Sequence, residues 1–553
     1  MNAERFELDV RGMTCDSCAL HVEKALAAVP GDKQVSVPGW KSSRAAIIAE
    51  GEIKNEDLAL ALRGSGYAAS VRSRKLIELV PQDPISDNEA FDLMVIGAGS
   101  AGFAAAIRGA ELGRRVALVG SGVIGGTCVN VGCIPSKTLI RSVEQLHLAG
   151  QARFRGVHTV PGAISWPEVI AHEDELVNQL RQEKYLDVLS AYPEITYIEG
   201  RARLTGANGV EVDGRPYTPG KIVLATGAQP WAPPIPGLAE ARYLDSTSAL
   251  DLRELPQSLI VLGGNAVGLE LAQTYARAGT YVSVLELLPR ILPFEDEEIS
   301  AALTGYLEDE GLRIVPGFEA ESILRRDGRA RLRGLKNGAE VVFEAEQLLV
   351  ATGRRANTAA LGLDEAGVRP GPRGEVLVNG LLQTHNPLVY AAGDVTGRDM
   401  FVYVASYSGS LATENALTGA GKIYDASTIP RITFTDPQVA SAGLTEEQAR
   451  QMGHRVKVAS VPMAYVPRAQ AARDTRGLVK LVADERTDLI LGAHILAPEA
   501  GEMIQSVVLA MRFGIILTQL RETMFPYLTN VEAVKLAVIS FEKDITKLSC
   551  CAG

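Results

Sequence analysis

A glycine-rich turn between an apolar strand and an alanine-rich helix constrains the fold most strongly. The segment FDLMVIGAGSAGFAAAIRGAELG contains Gly97, Gly99 and Gly102, which have the spacing G-x-G-x-x-G. This spacing allows a tight turn and lets the backbone approach a pyrophosphate at the helix N-terminus. Because the motif lies between a strand and a helix, it predicts a dinucleotide-binding domain that begins near residue 91.

A second strand–turn–helix unit follows at QSLIVLGGNAVGLELAQTYARAG. Gly263 and Gly268 hold its outer glycine positions, and Asn265 replaces the middle glycine. The next strand ends at Glu286, and an acid there can hydrogen-bond the ribose of NADH and repel the extra phosphate of NADPH. In the first unit, the matching strand ends at Gly120, where an acid is expected. Two such units predict one bound flavin and one exchangeable nicotinamide.

The cysteines form three close pairs rather than a disulfide scaffold. These are the N-terminal pair Cys15 and Cys18, the inner pair Cys128 and Cys133, and the terminal pair Cys550 and Cys551. In a reducing compartment, such pairs bind metal or carry out redox chemistry more often than they brace a fold. The inner pair lies in GGTCVNVGCIPSK, where a helix N-terminus and Lys137 would lower the pKa of a thiol. A buried structural pair or a metal site is the alternative.

From residue 91 to residue 553, the chain resembles the pyridine nucleotide–disulfide oxidoreductases, the family of glutathione reductase and lipoamide dehydrogenase. The resemblance rests on the first glycine motif and on GGTCVNVGCIPSK, LATGAQP, VATGRRAN, VYAAGDV and FTDPQVASAG, in this order. It implies FAD and NAD(P)H as cofactors, a homodimer, and the inner pair as the redox cysteines, with Cys133 nearer the flavin. It also implies that Asp394 binds the ribityl chain, and that Lys137 lies by the flavin and pairs with Glu270.

One departure from this family concerns the proton donor of disulfide reduction. Members that reduce an organic disulfide carry a His-Pro dipeptide near the C-terminus, followed by a Glu. Here the matching segment MFPYLTNVEAVKLA keeps Glu532 but places Phe525 before Pro526. Without the histidine, the leaving thiolate lacks a general acid. A dihydrolipoamide- or glutathione-type reductase is therefore a weakened alternative.

The two outer cysteine pairs favour a soft metal ion as substrate. The segment GMTCDSC resembles heavy-metal-associated domains, and two thiolates without a fixed third ligand suit Cu(I) or Hg(II). Adjacent cysteines form a disulfide poorly, so the tail SCCAG is better suited to carrying such an ion inward. A thioredoxin-like C-x-x-C pair and an incidental tail are the respective alternatives.

Together with the flavin core, these features resemble enzymes that reduce thiol-bound Hg(II) to Hg(0). The resemblance implies that the ion passes from the N-terminal pair to the terminal pair, and then to the inner pair of the opposite subunit. It also implies that Tyr185 and Tyr527 lie beside the inner thiols, with simple helix packing as the alternative for Tyr185. A metal chaperone with a vestigial core is the non-catalytic alternative.

Charge and hydropathy restrict the partners. The formal net charge of −11 argues against nucleic acid or an anionic membrane as the main partner, because both require a basic face. The longest apolar stretches, such as residues 507–517, are too short to span a bilayer. The charged N-terminus lacks the apolar run of a signal peptide. These features predict a cytoplasmic protein whose substrates are small thiol complexes of Hg(II).

The predicted fold class is α/β, with four domains. Two Rossmann-like nucleotide-binding domains and an α+β dimerisation domain follow a small ferredoxin-like βαββαβ domain. The predicted bounds are 1–71 for the heavy-metal-associated domain, 72–90 for a linker, 91–240 and 359–430 for the two parts of the FAD-binding domain, 241–358 for the NAD(P)-binding domain, and 431–553 for the dimerisation domain with its Cys-Cys tail.

Overall fold

The computed structural model describes residues 2–13, 22, 25–26, 29, 32–37, 44–50, 54–63, 67–78 and 91–548. The N-terminal pair and the terminal pair lie outside the described residues, as does most of the predicted linker. The predictions that concern these cysteines are therefore not tested by the fold.

The N-terminal unit is a four-stranded antiparallel sheet with the strand order of a ferredoxin-like fold. In space the second strand lies beside the third, the third beside the first, and the first beside the fourth. Alternate side chains of the first strand, Phe6, Leu8 and Val10, are buried, as the two-residue period of a strand requires. The elements are the strands Asn2–Arg11, Asp32–Ser36, Arg44–Glu50 and Ala68–Glu78, and the helix Asn55–Arg63.

The fourth strand of this unit extends past residue 71, at which the predicted first domain ends. Its last residue, Glu78, pairs with Asn2 at the start of the first strand. The long first strand therefore provides partners for residues that composition alone marks as linker.

The first nucleotide-binding sheet has five parallel strands with Leu93–Ile96 at its centre. All four residues of this strand are buried, because helices cover both faces of a parallel sheet. The carboxyl ends of the strands meet at one edge, which is where nucleotides bind in such sheets. The other strands are Val116–Gly120, Ile195–Glu199, Lys221–Leu224 and Val389–Ala391, and the principal helices are Ser100–Glu111 and Val402–Thr418.

The second nucleotide-binding sheet has four parallel strands and an attached antiparallel sheet of three strands. Its glycine-rich turn leads from Ser258–Leu262 into the helix Ala266–Arg277. The other parallel strands are Tyr281–Glu286, Arg313–Pro316 and Gln347–Val350, the second helix is Glu297–Asp309, and the antiparallel strands are Phe318–Arg326, Arg329–Lys336 and Ala339–Ala345.

The last domain is a five-stranded antiparallel sheet packed against helices. Its central strand, Ile490–Ala497, pairs with neighbours on both sides. The other strands are Arg431–Thr433, Gln438–Gly443, Val456–Pro462 and Leu478–Asp484, and the helices are Glu446–Gln451, Pro467–Ala472, Ala500–Arg512, Leu517–Glu522 and Glu532–Ile539. The predicted fold class is confirmed.

The remaining elements connect these sheets. Among the described residues, none of the helices is both long and apolar enough to cross a membrane. The connecting elements are the helices Gly126–Val131, Cys133–Ala149, Trp166–Arg181, Asp187–Ser190 and Ser246–Leu250, the π-helical turn Gln182–Leu186, the 3-10 turns Gly393–Thr396, Met463–Tyr465 and Ile545–Lys547, and the short strands Ala202–Leu204, Val210–Val212, Arg215–Tyr217, Ala228–Pro230 and Arg354–Ala356.

A buried arginine joins the second nucleotide-binding sheet to the last domain. The Arg277 side chain is 4% exposed and lies 2.7 Å from both Glu310 and Asp436. Asp436 also receives a hydrogen bond from Arg476 at 2.9 Å. This charged cluster fixes the chain immediately after residue 434, which lines the site described below.

We expect Arg277→Met to destabilise this junction strongly, because it removes the more buried of the two arginines that Glu310 and Asp436 share and leaves only Arg476 to pair with both carboxylates. Loss of one partner of a buried ion pair costs about 3 kcal/mol or more, which corresponds to a fall in Tm of roughly 5 °C or more for a domain of this size. Scanning calorimetry measures this. The partly exposed Arg108–Glu111 pair provides the control, since Arg108→Met should move Tm by less than about 2 °C. Equal shifts in the two variants would contradict the expectation.

Candidate functional site

A cavity of about 1670 Å³ lies at the carboxyl edge of the first parallel sheet. Its wall includes the first glycine motif, both inner cysteines, Lys137 and Asp394. It reaches Glu270 and Val267 on the helix that follows the second glycine motif. Predicted cofactor-binding and catalytic residues from separate stretches of the sequence therefore line one continuous cavity.

The first glycine motif forms a tight turn, here called the pyrophosphate cradle, in which side chains at the outer glycines would collide with the backbone. Gly97 has φ +120°, and a Cβ there would lie 2.2 Å from the carbonyl oxygen of Ala225. A Cβ on Gly102 would lie 1.7 Å from the carbonyl oxygen of Gly97. The helix that begins after Gly99 has neither a side-chain cap nor an acid in its first turn. Its free N–H groups suit an anion, so this end of the cavity fits the pyrophosphate of FAD.

The inner cysteines lie on two consecutive helices. Cys128 belongs to Gly126–Val131, and Cys133 is the first residue of Cys133–Ala149. Both are free, half-buried thiols. A hydrogen bond from Cys128 and, more weakly, the charge of Lys137 lower the pKa of Cys133 to about 7, against the opposing effect of burial. The same hydrogen bond, together with burial, raises the pKa of Cys128. Cys133 is therefore the first thiolate of the pair to form.

Lys137 has two partners from distant parts of the chain. Its Nζ atom donates to Glu270 Oε2 at 2.7 Å and lies 4.4 Å from the centroid of the Phe434 ring. The backbone N–H of Phe434 donates to the other carboxylate oxygen of Glu270 at 2.8 Å. The contact between Lys137 and Glu270 is the one that the family resemblance implies. Phe434, whose ring lines the cavity, is a residue that sequence reasoning missed.

Opposite changes at Lys137 and Glu270 should move the pKa of Cys133 in opposite directions. Lys137 lowers this pKa and Glu270 raises it. We therefore expect Lys137→Met to shift the thiolate titration upward by roughly one pH unit, and Glu270→Gln to shift it downward. The measurement is the pH dependence of Cys133 alkylation by iodoacetamide in the reduced protein, with the modified residue located by fragment-ion mass spectrometry. Shifts of the same sign in both variants would contradict this assignment.

Asp394 lies in the cavity wall beside an arginine. Burial raises the pKa of Asp394, and Arg354 opposes this from 3.8 Å. Arg354 also donates to the carbonyl oxygen of Ala228 and, at 3.5 Å, to the hydroxyl of Thr127. A partly exposed carboxylate at the cavity wall suits the hydroxyl groups of a ribityl chain. Arg354 was missed as a site residue, although the segment VATGRRAN contains it.

Tyr185 lies on a single π-helical turn, Gln182–Leu186. Such turns insert an extra residue into a helix and are frequent at functional sites. The Tyr185 ring packs edge-on against Phe103 at 4.8 Å. Burial raises the pKa of its hydroxyl, and the electrostatic influence of Cys128 and Cys133 adds to this effect. Tyr185 is thus close enough to the inner pair for their charges to act on it.

Tyr527 lies in the last domain, after the helix Leu517–Glu522. Its side chain is 54% exposed, and its neighbours Met524 and Leu528 are exposed as well. This apolar surface is suited to a contact with another subunit. Glu532, at the start of the helix Glu532–Ile539, has a pKa that burial raises.

The second glycine motif tolerates its departure from the pattern. Gly263 has φ +112°, and a Cβ on Gly268 would lie 2.0 Å from the carbonyl oxygen of Gly263. Both outer positions therefore require glycine. Asn265 has φ −103°, an ordinary value for a residue with a side chain. The middle position can therefore hold Asn265 without backbone strain.

Glu286 is buried behind this turn. Its carboxylate accepts hydrogen bonds from the backbone N–H groups of Gly264 at 2.6 Å and Leu288 at 2.8 Å. Each oxygen can accept a further hydrogen bond, so these contacts leave capacity for a ribose hydroxyl. Its role in selecting NADH over NADPH stays a prediction.

Three family descriptions match the chain. "Pyridine nucleotide-disulphide oxidoreductase" matches residues 91–409, and the dimerisation domain of that family matches residues 429–538. "Heavy-metal-associated domain" matches residues 7–68. The first match implies a flavin and a nicotinamide as cofactors, and the second implies association through the last domain.

Similar proteins cover nearly all of the chain. A mercuric reductase from Lysinibacillus sphaericus is 40% identical over 553 residues, which are 99% of this chain and 100% of that protein. A mercuric reductase from Streptomyces lividans is 44% identical over 470 residues, which are 84% of this chain and 98% of that protein.

Among solved structures, the HOCl-induced flavoprotein disulfide reductase RclA from Escherichia coli has a similar fold. It matches with a TM-score of 0.73 and 33% identity, covering 81% of this chain and 99% of that chain. Its Cu(II) complex matches with a TM-score of 0.73 and 32% identity, covering 82% and 100%.

Proposed function

The chain belongs to the mercuric reductases and to the pyridine nucleotide–disulphide oxidoreductase family, and we propose that it reduces Hg(II) to Hg(0) with electrons from NAD(P)H. Bound FAD would accept a hydride from the nicotinamide and supply two electrons at the inner pair. The chain's own residues bind the metal, orient it and hold the thiolates that remain when it leaves. Small thiol complexes of Hg(II) are the proposed substrates.

The absence of the histidine general acid carries this proposal, because Phe525 precedes Pro526 where disulfide-reducing members of the family carry histidine. Among the described residues that line the cavity there is no histidine. His494 is 0% exposed, and its Nε2 atom lies 3.0 Å from the carbonyl oxygen of Leu444, so it cannot reach a substrate. Reduction of an organic disulfide must protonate a leaving thiolate. Reduction of Hg(II) held by two thiolates needs two electrons and no such proton.

Metal binding begins at Cys133, whose thiolate forms near neutral pH. The thiolate attacks a complex Hg(SR)₂ and displaces one RS⁻. Cys128 then gives its proton to the displaced RS⁻ and displaces the second RS⁻, which leaves the ion bound by both inner sulfurs. Each exchange replaces one soft Hg–S bond with another, so the free ion is not released. After two-electron reduction, Hg(0) has little affinity for thiolates and departs.

The residues around the inner pair have positioning roles in this proposal. Lys137, held by Glu270, stabilises the thiolate of Cys133 and lies by the flavin. Tyr185 and, from the opposite subunit, Tyr527 approach the ion or hydrogen-bond a sulfur. The exposed apolar side chains Phe513 and Met524 support a homodimer through the last domain.

Cofactor placement follows the two glycine motifs. Gly97, Gly99 and Gly102 would hold the pyrophosphate of FAD, and Asp394 its ribityl chain. Gly263, Gly268 and Glu286 would hold the nicotinamide dinucleotide, with NADH favoured by the acid. The proposed domain bounds are those predicted from the sequence, except that the first domain extends to Glu78 with its last strand. Pairing of Val389–Ala391 with Lys221–Leu224 supports an FAD-binding domain in two parts.

Substrate comparison tests the proposal. We expect Hg(II) complexed by excess thiol to drive oxidation of NAD(P)H by the purified flavoprotein, and we expect oxidised glutathione or lipoamide to drive it at least about 100-fold more slowly, because the general acid is missing. The measurement is initial velocity at saturating NAD(P)H. Faster turnover with an organic disulfide than with Hg(II) would favour the disulfide-reductase alternative.

A further inference from the structure

We propose that Tyr197 binds the adenosine ribose of FAD in the place where nucleotide-binding folds of this type carry an acid. This inference rests on the proposed binding of FAD. It explains how the ribose is bound although Gly120, at the end of the second strand of the first unit, lacks the carboxylate expected there.

The space next to Gly120 is already occupied. A Cβ built on Gly120 would lie 2.8 Å from the hydroxyl oxygen of Tyr197 and 2.8 Å from the Cβ of Ala98. An acid at position 120 would therefore collide with both side chains. The Tyr197 hydroxyl lies next to the position of the Cβ atom of such an acid. It is therefore in the region from which the carboxylate of that acid would reach a ribose.

The sheet brings Tyr197 to this position. The strand Ile195–Glu199 runs parallel to Val116–Gly120, with Tyr197 opposite Leu118. The long phenol side chain then reaches the carboxyl end of the neighbouring strand. Tyr197 lines the same cavity as Gly120 and the pyrophosphate cradle. The cavity thus continues from the cradle to the Tyr197 ring, which suits the adenosine half of a dinucleotide.

The hydroxyl group is available for a ligand. Within the described part of the chain, no hydrogen bond to the Tyr197 hydroxyl is present, whereas the hydroxyl of Tyr275 donates to Ala249. Burial and the nearby Glu199 raise the pKa of Tyr197, so the phenol stays protonated at neutral pH. A neutral phenol can donate one hydrogen bond and accept another, which matches a ribose diol.

Tyr197→Phe should weaken the binding of FAD without affecting the binding of FMN, which lacks adenosine. We expect FAD to dissociate from the holoenzyme about five- to tenfold faster, the effect of losing one hydrogen bond. The measurement is recovery of flavin fluorescence after dilution, with FMN affinity for the apoprotein measured in parallel. Tyr192→Phe removes a phenol that does not line the cavity, and it should leave both values unchanged.

FAD whose adenosine carries a 2′- or 3′-deoxyribose provides the second arm. One of these analogues should dissociate from the unsubstituted protein as fast as FAD does from Tyr197→Phe. The same analogue should dissociate no faster from Tyr197→Phe than from the unsubstituted protein, because the hydrogen bond is already absent. Unchanged FAD dissociation in Tyr197→Phe, or equal weakening of FAD and FMN, would overturn the inference. Failure of the unsubstituted protein to bind FAD would instead contradict the proposed function.

Discussion

Cys133→Ser should abolish the reduction of Hg(II), lowering kcat by at least about 10³-fold. A serine hydroxyl does not ionise near neutral pH and is a poor ligand for a soft ion, so the first exchange with Hg(SR)₂ cannot occur. The volume of the side chain hardly changes, and the helix that begins at residue 133 should keep its start. The measurement is single-turnover release of Hg(0) from enzyme loaded with FAD.

Reduction of bound FAD by NAD(P)H provides the internal control for this variant. That half-reaction does not involve the inner thiols, and its rate should stay within about twofold of the unsubstituted protein. Turnover that survives Cys133→Ser would show that Hg(II) is reduced without the inner pair. A rate of FAD reduction that falls in parallel would show general damage to the flavin site.

Replacing both cysteines of the terminal pair with Ala should lower kcat/KM for thiol-complexed Hg(II) by on the order of 10²-fold. The inner thiols are half-buried, so a complex that carries two thiol ligands has limited access. A tethered pair that captures the ion supplies it at a high effective concentration. Steady-state kinetics at low micromolar Hg(II) measure the loss.

Ser549→Ala, in the same tail, is the matched control and should leave kcat/KM unchanged. Cys15→Ala with Cys18→Ala should have a smaller effect than the terminal change, because the terminal pair, which delivers the ion to the inner pair in the relay that the resemblance implies, is still present. An unchanged kcat/KM in the terminal variant would remove the tail from the mechanism.

The sequence alone predicted those parts of the fold and the site that depend on a short contiguous segment. Gly102 must be glycine because a Cβ there would meet the carbonyl oxygen of Gly97, five residues earlier in the same turn, and Gly97 itself has a positive φ that favours glycine. The family assignment and the fold class predicted from such segments are confirmed by the relatives and the family matches. The contact between Lys137 and Glu270 followed from resemblance, since no local pattern links residues so far apart.

Residues that act through long-range contacts were not predicted. Phe434 reaches Lys137 only because the last domain packs against the second nucleotide-binding sheet. The largest influence on the pKa of Cys133 is the Cys128 thiol, whereas the sequence indicated only the helix terminus and the lysine. Gly120 was noted as a departure, but its explanation required the position of Tyr197 on a neighbouring strand.

Capture of elemental mercury during turnover tests the central claim most directly. With NAD(P)H, bound FAD and Hg(II) in excess thiol, we expect about one Hg(0) to be released for each NAD(P)H oxidised, since both changes involve two electrons. NAD(P)H oxidation without volatile mercury would contradict the account.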